Sequence, residues 1–555
     1  MDTYRALLAI LISFFILLGY QYFFVAPTTN QTIQPRVESG QQAATGASPA
    51  TTGEKQPAVS QAQPIPLPDT SVEVDQTARD ISIETPLYSA VINEQGGGFK
   101  SFILKNYRKE LNGDTGFMEL VQTELPTELP AIFSMQNGAR QGMATFKADR
   151  AKIVVSEGSG KASLNMVATL GGGVTITRTL TIDPASYLID DQYTVVNGSG
   201  VPVSATPALV LSNRPFAIQS AASRFMFSGP VAYVNGELSE VKGKKLTGGP
   251  QTFKGDVGWA AYEDNYFICA VIPAQKGDRS VQMSGVDETV RTVISEGVVT
   301  LSPGAKQNFG YSLYFGPKKL SILKQQVGHE LSRAINFGWF DALAKPMLWL
   351  LNFFHDYLKN YGIAIILLTI LIKGVFWPIT QKGMKSMKNM QKLQPKVAKL
   401  KEKFKDDSQK MNQEMMALYK TYKVNPLGGC LPMILQIPFF FALYKVLLMS
   451  IELRHAPFMF WISDLAAPDR LWIGFDIPYL HGIPVLTLLM GGSMYLQQKM
   501  SPTTADPTQA RIMQMLPIVF TFMFLNFASG LVLYWFVNNL LSILQQQLIN
   551  RQTKS

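Results

Sequence analysis

The sequence has few of the residues that build disulfide scaffolds, metal centres and nucleotide-dependent enzymes. Its 555 residues include only two cysteines, Cys269 and Cys430, and four histidines, and none of these are spaced as metal ligands. A GxxxxGK[ST] phosphate loop, a GxSxG nucleophile turn and an HExxH zinc motif are all missing. We therefore expect no metal, no cofactor and no enzymatic activity.

Charged residues are also scarce. They make up 16% of the chain, whereas hydrophobic residues make up 47%, and an ordinary soluble protein carries about 25% charge. This composition is typical of a membrane protein that has a soluble part. The length is enough for two or three domains.

The N-terminal part predicts a membrane anchor followed by a linker. Residues 6–25 form an apolar run of 20 residues, which is long enough to span a bilayer. The run ends in aromatic residues, among them Tyr20 and Tyr22, and not in the small residues of a signal-peptide cleavage site. We therefore predict an uncleaved anchor over residues 1–26. Residues 27–71 are rich in Thr, Gln, Pro, Ala and Ser and predict a flexible linker.

Residues 72–319 predict a large all-β domain. Apolar and polar residues alternate in stretches such as GGGVTITRTLTID, which begins at Gly171, and Gly, Asn and Asp separate these stretches. Many short strands with turn signals between them indicate a β-sandwich.

Residues 320–360 predict a helical segment with an aromatic-rich stripe. Two placements are open: the helix lies in the membrane interface, or it is an ordinary helix packed on the β domain. The stripe consists of Trp339, Phe340, Leu343, Met347, Leu348, Leu351 and Phe354.

Five further apolar segments follow, and with the N-terminal anchor they predict six transmembrane helices. A turn at Ser529-Gly530 is predicted to join the last two. Residues 426–555 would thus hold helices three to six and a short tail. The five segments cover residues 361–380, 431–450, 479–496, 512–528 and 531–549.

The distribution of charge predicts the orientation. Residues 381–425 contain twelve lysines and four acidic residues, a balance of +8, whereas residues 27–340 have a balance of −1 and residues 451–480 a balance of −2. Lysine-rich loops stay in the cytoplasm. Both termini are then cytoplasmic, and the β domain lies on the other side of the membrane.

Lys373 is the only charged residue of the second predicted span. A lysine at the centre of a bilayer costs about 2.5–3.5 kcal/mol, which suggests a water-filled cavity. Thr369 lies one turn earlier on the same helix face. The alternative is that Lys373 extends its methylenes to the inner membrane surface. Lys445 lies near the outer end of the third span, where a lysine side chain easily reaches the membrane surface.

Other polar residues in the predicted spans have two interpretations. Gln436 lies between two prolines, in a helix that we expect to be kinked. Its amide either lines the same cavity as Lys373 or forms an interhelical hydrogen bond. The same two interpretations hold for Tyr534, Asn538 and Asn539 on the last span.

The lysine-rich segment, residues 381–425, predicts a helical hairpin. The apolar faces of its two helices either pack on each other or use adaptable methionines to receive varied apolar segments. The lysines would contact anionic lipid headgroups or ribosomal RNA. The first apolar face holds Met384, Met387, Met390, Leu393, Val397, Leu400 and Phe404, the second Met411, Met415, Met416, Leu418, Tyr419 and Tyr422, and the lysine face Lys392, Lys396, Lys399 and Lys403.

Three long strings in the C-terminal half resemble the YidC membrane protein insertases of the YidC/Oxa/Alb family, in the form found in bacteria with two membranes. They are KVNPLGGCLPMILQIPFFFALY from residue 423, QKMSPTTADPTQARIMQMLPIVFTFMF from residue 498 and SGLVLYWFVNNLLSILQQQLI from residue 529. The order of anchor, linker, β domain and lysine-rich hairpin is similar as well.

The resemblance implies a five-helix core around a hydrophilic groove that is open to the cytoplasm, with a periplasmic β-supersandwich domain. It also implies insertion and folding of nascent inner-membrane proteins, alone or with the Sec translocon, and transient contact with the ribosome. The arginine that is usual in the groove of the family corresponds to Lys373 here, and two aromatics of the last span correspond to Tyr534 and Trp535. The tail after that span is too short for the long ribosome-binding extension of mitochondrial relatives.

Two other function classes are compatible with parts of the sequence. A secondary transporter would use Lys373 as a counter-ion, but such proteins have inverted repeats, and we find none in the sequence. A carbohydrate enzyme is the other class, because large β-sandwich domains often bind sugars, but residues 72–315 contain no histidine and no carboxylate pair stands out. Sugar binding without catalysis stays open.

Overall fold

The computed structural model describes residues 75–111, 115–123, 125–136, 144–216, 227–286, 288–325, 330–404, 407–422, 424, 431–500 and 507–552. The predicted anchor and linker over residues 1–71, and Cys430, lie outside the described residues.

The first described part, up to residue 317, consists almost entirely of β-strands. The strands are β1 (Asp80–Glu84), β2 (Tyr88–Asn93), β3 (Phe99–Arg108), β4 (Phe117–Gln122), β5 (Ile132–Gln136), β6 (Lys147–Ala148), β7 (Lys152–Val154), β8 (Ala162–Thr169), β9 (Val174–Ile182), β10 (Leu188–Asn197), β11 (Val203–Asn213), β12 (Gly229–Val234), β13 (Glu237–Glu240), β14 (Gln251–Glu263), β15 (Phe267–Pro273), β16 (Asp278–Val286), β17 (Thr289–Ser295), β18 (Val299–Leu301) and β19 (Lys306–Pro317). A 3-10 turn (Pro126–Glu128) and one short α-helix, α1 (Gly243–Leu246), interrupt them.

These strands form a five-stranded sheet, in the order β4-β3-β2-β1-β7, and a fourteen-stranded sheet. Along β9 every second residue is buried, as the alternation in the sequence predicts for a strand with one covered face. The two sheets pack on each other through aromatic side chains. Phe102 of β3 meets Phe315 of β19 edge-on, with ring centroids 5.3 Å apart. The large β-rich domain is confirmed.

A buried arginine also connects the two sheets. Arg178 of β9 forms a two-pronged ion pair with Asp191 of β10, at 2.8 and 2.7 Å, and both side chains are fully buried. Its remaining nitrogen donates to the carbonyl of Gly97, which lies between β2 and β3 of the smaller sheet. Because a buried ion pair stabilises only when its hydrogen bonds are satisfied, this arrangement holds the sheets in one relative position.

A second buried ion pair predicts a pH-dependent stability. Glu263, at the end of β14, accepts from Lys318 at 3.1 Å, and its other oxygen has no hydrogen-bond partner among the described residues. Burial raises the pKa of Glu263 to about 7, above its ordinary value of 4.5, although Lys318 opposes the shift. The folded protein therefore takes up a proton that the unfolded chain lacks between these values. Protonated Glu263 thereby contributes up to about 3 kcal/mol to the free energy of unfolding. This contribution is complete below pH 4.5 and is lost as the pH rises through 7.

We expect Glu263→Gln to remove this pH dependence, because glutamine stays neutral throughout. Cys269 on β15 is fully buried, so in a Cys430→Ser background its rate of thiol labelling reports opening of the β domain. The ratio of the wild-type rate to the rate of the Glu263→Gln variant should rise from pH 5 to pH 7. Burial also raises the pKa of Asp264. Because Asp264 is present in both proteins, its effect cancels in the ratio of the two rates. A ratio independent of pH would contradict this assignment.

The second part is helical. Its helices are α2 (Leu320–Gln325), α3 (Asp341–Leu358), α4 (Tyr361–Lys403), α5 (Ser408–Thr421), α6 (Leu431–Met449), α7 (Val485–Met500), α8 (Pro507–Phe524) and α9 (Ser529–Gln552). Within the described residues, one helix is both long and apolar enough to cross a membrane, the segment from Tyr361 to Leu400, and two shorter apolar helices cover Ile434–Met449 and Met513–Phe524.

Several predicted bounds differ from those in the structure. The second span and the first helix of the hairpin form one continuous helix, α4, because Pro378 and Pro395 lie inside it without ending it. Residues 479–484 belong to the loop before α7. Ser529 and Gly530 begin α9 and do not form the turn, which covers residues 525–528.

The predicted helical segment over residues 320–360 contains α2, two 3-10 turns and α3. Most of its predicted stripe is turned inward: α3 packs on α4 and α6, with Met347, Leu348 and Leu351 buried. Trp339 is fully exposed. The outer side of α3 carries a second aromatic row that the sequence did not predict, with Trp349, Phe353 and Tyr357 exposed.

Arg454, in the loop between α6 and α7, connects this loop to the β domain. The guanidinium of Arg454 donates to the carbonyls of Arg108 and Lys109 at 2.7 and 2.8 Å. It also lies over the ring of Phe267, 5.6 Å from the ring centre. An arginine that combines two carbonyl hydrogen bonds with a ring contact fixes both position and angle.

Candidate functional site

The helices enclose Lys373 in a polar environment. Its side chain is buried, with 8% of its surface exposed, and its ammonium donates to the hydroxyl of Ser542 on α9 at 2.8 Å. Among the described residues Ser542 is its only hydrogen-bond partner, and no carboxylate forms an ion pair with it. An ammonium has three donors, so two remain for water or for a bound polar group.

The polar partners lie along one side of α9. Asn538, Ser542 and Gln545 are spaced four and three residues apart, which places them on one helix face. The hydroxyl of Ser542 donates to the carbonyl of Asn538 at 2.7 Å. Gln545 donates to the carbonyl of Trp377 on α4 at 3.3 Å, and its buried amide oxygen has no partner within the described residues. This face therefore keeps hydrogen-bonding capacity next to Lys373.

Gln436 and Asn539 extend the polar region to neighbouring helices. The amide of Gln436 on α6 donates to the side-chain oxygen of Asn538 at 3.4 Å. Asn539 donates to the hydroxyl of Ser493 on α7 at 3.0 Å, and both side chains are buried. Gln436 thus forms an interhelical hydrogen bond to Asn538, which lies one turn from Ser542 on α9.

The other predicted groove residues are placed differently. The hydroxyl of Thr369 is buried and donates to the carbonyl of Ile365 in its own helix at 2.6 Å. Trp535 lies in an aromatic cluster, with its ring 4.9 Å from that of Phe440 and 4.9 Å from that of Phe524. Tyr534 is buried and its ring stacks on Phe440 at 6.2 Å. Of these three, Tyr534 also hydrogen-bonds the side chain of Gln436 and so joins the polar region, whereas Thr369 and Trp535 have no contact with Lys373 or Ser542 among the contacts described above.

The hairpin has the two faces that its sequence predicts, with two exceptions. The apolar face of the first helix is buried or half-buried, and Lys392, Lys396, Lys399 and Lys403 are exposed. On α5, however, Met416 and Tyr422 are exposed and do not join the apolar face. Tyr422 instead contacts Lys396, whose ammonium lies 4.2 Å from the ring centre.

A cavity of about 590 Å³ lies away from Lys373, between the β domain and the α6–α7 loop. Its walls mix Lys109, Arg454 and Arg470 with Asp264 and Asp464, so neither sign of charge dominates. In the described part of the chain no group of histidine, cysteine and carboxylate side chains could hold a metal ion.

Comparison with known proteins gives matches over both parts. Residues 80–350 match the family model described as the YidC periplasmic domain, and residues 353–555 match the one described as 60Kd inner membrane protein. The chain is 41% identical to the membrane protein insertase YidC of Syntrophobacter fumaroxidans, over 99% of each chain. It is 42% identical to that of Syntrophus aciditrophicus, again over 99% of each. A crystal structure titled as an active YidC insertase, 18% identical, covers 85% of this chain and 93% of its own, with a TM-score of 0.35.

Proposed function

The chain belongs to the YidC family of membrane protein insertases, and we propose that it inserts and folds inner-membrane proteins through a hydrophilic groove around Lys373. It does so without hydrolysing a nucleotide, alone or beside the Sec translocon. The observation that carries the groove is the buried ammonium of Lys373, which has one protein partner among the described residues and faces the polar side of α9. The secondary transporter is the weaker alternative, because the relatives are insertases.

The proposed topology has six transmembrane helices with both termini in the cytoplasm. The predicted anchor supplies the first, and α4 and α6–α9 supply a five-helix core. The charge balance of residues 381–425 supports a cytoplasmic hairpin. The β domain then lies in the periplasm. The α6–α7 loop, which contacts the β domain, lies at the periplasmic surface of the inner membrane.

The proposed mechanism uses the groove to lower the cost of moving a polar segment partway across the membrane. An acidic or polar N-terminal tail of a client would take up the free donors of Lys373. The apolar helix of the client would then move into lipid beside α4 and α6, whose exposed residues include Ile370, Val375 and Ile437. Burial of that helix in lipid supplies the driving force, so no nucleotide is needed. The exposed hairpin lysines would contact the ribosome or anionic lipids.

Depletion of the protein in cells tests this function. Small clients with one or two spans should stop inserting, which protease protection of a tagged periplasmic tail measures. A transporter would leave insertion intact while its solute accumulates or is lost. Re-expression of the wild-type chain should restore insertion, and re-expression of Lys373→Glu should fail to restore it for clients with an acidic tail.

We expect the β domain to be dispensable for insertion, since its near-neutral charge offers no attraction for clients. The structure sets the end of such a deletion at Pro317, where β19 ends, because an earlier end would leave buried strand residues exposed. Removal of residues 72–317, with α2 and α3 kept, should preserve growth of depleted cells.

The Arg454 contact provides the control for this deletion. Arg454→Ala should free the β domain and increase protease cleavage next to it, while insertion continues. Loss of viability on deletion, with a normally accumulating helical core, would contradict the expectation. If Arg454→Ala also lost insertion, the defect of the deletion would be due to loss of the contact between the β domain and the α6–α7 loop.

A further inference from the structure

The loop between α6 and α7 displays a strongly apolar segment on its outer side. In residues 471–483 the exposed side chains include Trp472, Ile473, Phe475 and Tyr479, which are 60%, 39%, 63% and 93% exposed. The only acidic residue of the segment, Asp476, accepts a hydrogen bond from Nδ1 of His481 at 3.0 Å. Large side chains of this kind are normally buried, and a continuous apolar patch indicates an interaction surface.

The segment is held in this exposed arrangement. Leu471 and Ile483 exchange two backbone hydrogen bonds, at 2.8 and 2.9 Å, which close the segment at its base. Next to that base Arg470 donates to the carbonyl of Leu525 and the side chain of Asn526, in the turn between α8 and α9. Tyr479 has a left-handed backbone, with φ of 68°, which is rare for a bulky residue. The left-handed backbone therefore stores a conformational cost at Tyr479.

The surroundings of the segment indicate what covers it. It leads directly into α7, a helix that we assign to the membrane and whose Leu488, Leu489 and Leu496 are about half exposed. Trp and Tyr prefer the boundary between headgroups and acyl chains. Tyr479 and Leu480 line the cavity next to the β domain, so the large apolar side chains left for a membrane are Trp472, Ile473 and Phe475. A protein interface there would be bordered by unpaired polar groups, whereas Asp476 is already paired with His481.

We propose that residues 472–475 form an interfacial anchor that inserts into the outer leaflet of the membrane and fixes the outer ends of α7 and of the α8–α9 turn. This inference rests on the topology proposed above. It assigns the segment to lipid and not to a client or to a second copy of the chain.

Depth measurements on the full-length protein test the anchor. In a Cys430→Ser background, Phe475→Cys and Ile473→Cys are labelled separately with an environment-sensitive fluorophore. The protein is reconstituted into vesicles of phosphatidylethanolamine and phosphatidylglycerol. The matched control is Val298→Cys, an apolar side chain of the β domain that is 75% exposed. The protein without an added cysteine measures labelling of the buried Cys269.

Labels at 473 and 475 should be quenched by lipids with a nitroxide near the headgroup and protected from iodide, with the reverse at 298. Phe475→Asp should abolish lipid quenching at 473, and Phe475→Leu should retain it. Iodide quenching at 475 equal to that at 298 would overturn the anchor. Protection from both quenchers would also overturn it, because the segment would then be covered by protein.

The depth measurement does not require insertion activity. Lys373→Glu should therefore leave the quenching at 475 unchanged, whatever it does to client insertion. A failure of the anchor leaves the groove proposal untouched, and loss of the groove proposal is detected only in the insertion assay.

Discussion

Lys373→Glu should abolish insertion of clients whose translocated tail is acidic. Opposite charges about 4 Å apart attract by about 4 kcal/mol at an effective dielectric constant of about 20. The substitution turns this attraction into repulsion in a site where Lys373 is 8% exposed. Since about 1.4 kcal/mol corresponds to a factor of ten, the rate of insertion should fall by at least about 100-fold. Protease protection of a client with an acidic tail measures this loss.

Matched clients and variants separate charge from hydrogen bonding. A second client, with its acids changed to glutamine, should lose less in Lys373→Ala than the acidic client does. Lys373→Arg should retain activity because it keeps the charge. Ser542→Ala should have a small effect, since water can replace a neutral hydrogen bond in a wet groove. Lys445→Ala is the control for a lysine near the outer surface.

Chemical reactivity at position 373 tests directly whether water reaches this site. A cysteine at position 373 should react with a water-soluble reagent added from the cytoplasmic side. If that cysteine is unreactive and Lys373→Ala inserts both clients at the wild-type rate, Lys373 only extends to the membrane surface, and the groove mechanism fails at this residue. Accumulation of each variant at the wild-type level must be verified first.

The sequence identified Lys373 because a single charge in an apolar run is conspicuous, but it did not identify Ser542 or Gln545. Neutral polar residues inside a span cost much less than a charge and are therefore less conspicuous, and the direction in which they face depends on how α9 is rotated against α4 and α7. The spacing of Asn538, Ser542 and Gln545 was a usable signal, since four and three residues correspond to one helix face. Thr369 had the right spacing from Lys373, yet its hydroxyl bonds to its own backbone.

Helix ends were predicted less well, because distant parts of the chain determine them. Ser-Gly is a turn signal, but the hydroxyl of Ser529 donates to the carbonyl of Asp464 and the amide of Gly530 donates to that of Leu465. These contacts from the α6–α7 loop let the helix begin at Ser529. We predicted that the second span ends at residue 380 because the lysine-rich segment begins there. The lysines mark where α4 leaves the membrane, but they do not end the helix.

In the β domain the alternation of residues predicted strands but not their partners. β15 pairs with its neighbour β14 and also with β19, about 40 residues away by the ordering of the chain. The Arg454 contact joins residues more than 340 positions apart. Such long-range contacts have no local pattern, because they depend on how two complete domains pack.

Loss of the hairpin lysines should have the second-largest effect. Lys392, Lys396, Lys399 and Lys403 are exposed on one side of α4, and each lysine near an anionic surface contributes about 1 kcal/mol. Changing all four to glutamine should therefore weaken binding to anionic vesicles by up to about 1000-fold at low salt. It should also flatten the salt dependence of vesicle and ribosome binding, because fewer counterions are released. Co-sedimentation over a salt series measures both.

Packing and charge can be separated within the same hairpin. The four lysines changed to arginine keep the charge and should bind as the wild type does. Met387 and Met415 are half-buried, so their change to aspartate should lower the amount of folded protein, because a charge would be placed against the apolar faces. Such a loss should appear equally at every salt concentration. Identical vesicle and ribosome binding by the glutamine variant and the wild type across the series would show that the lysine face does not act through its charge.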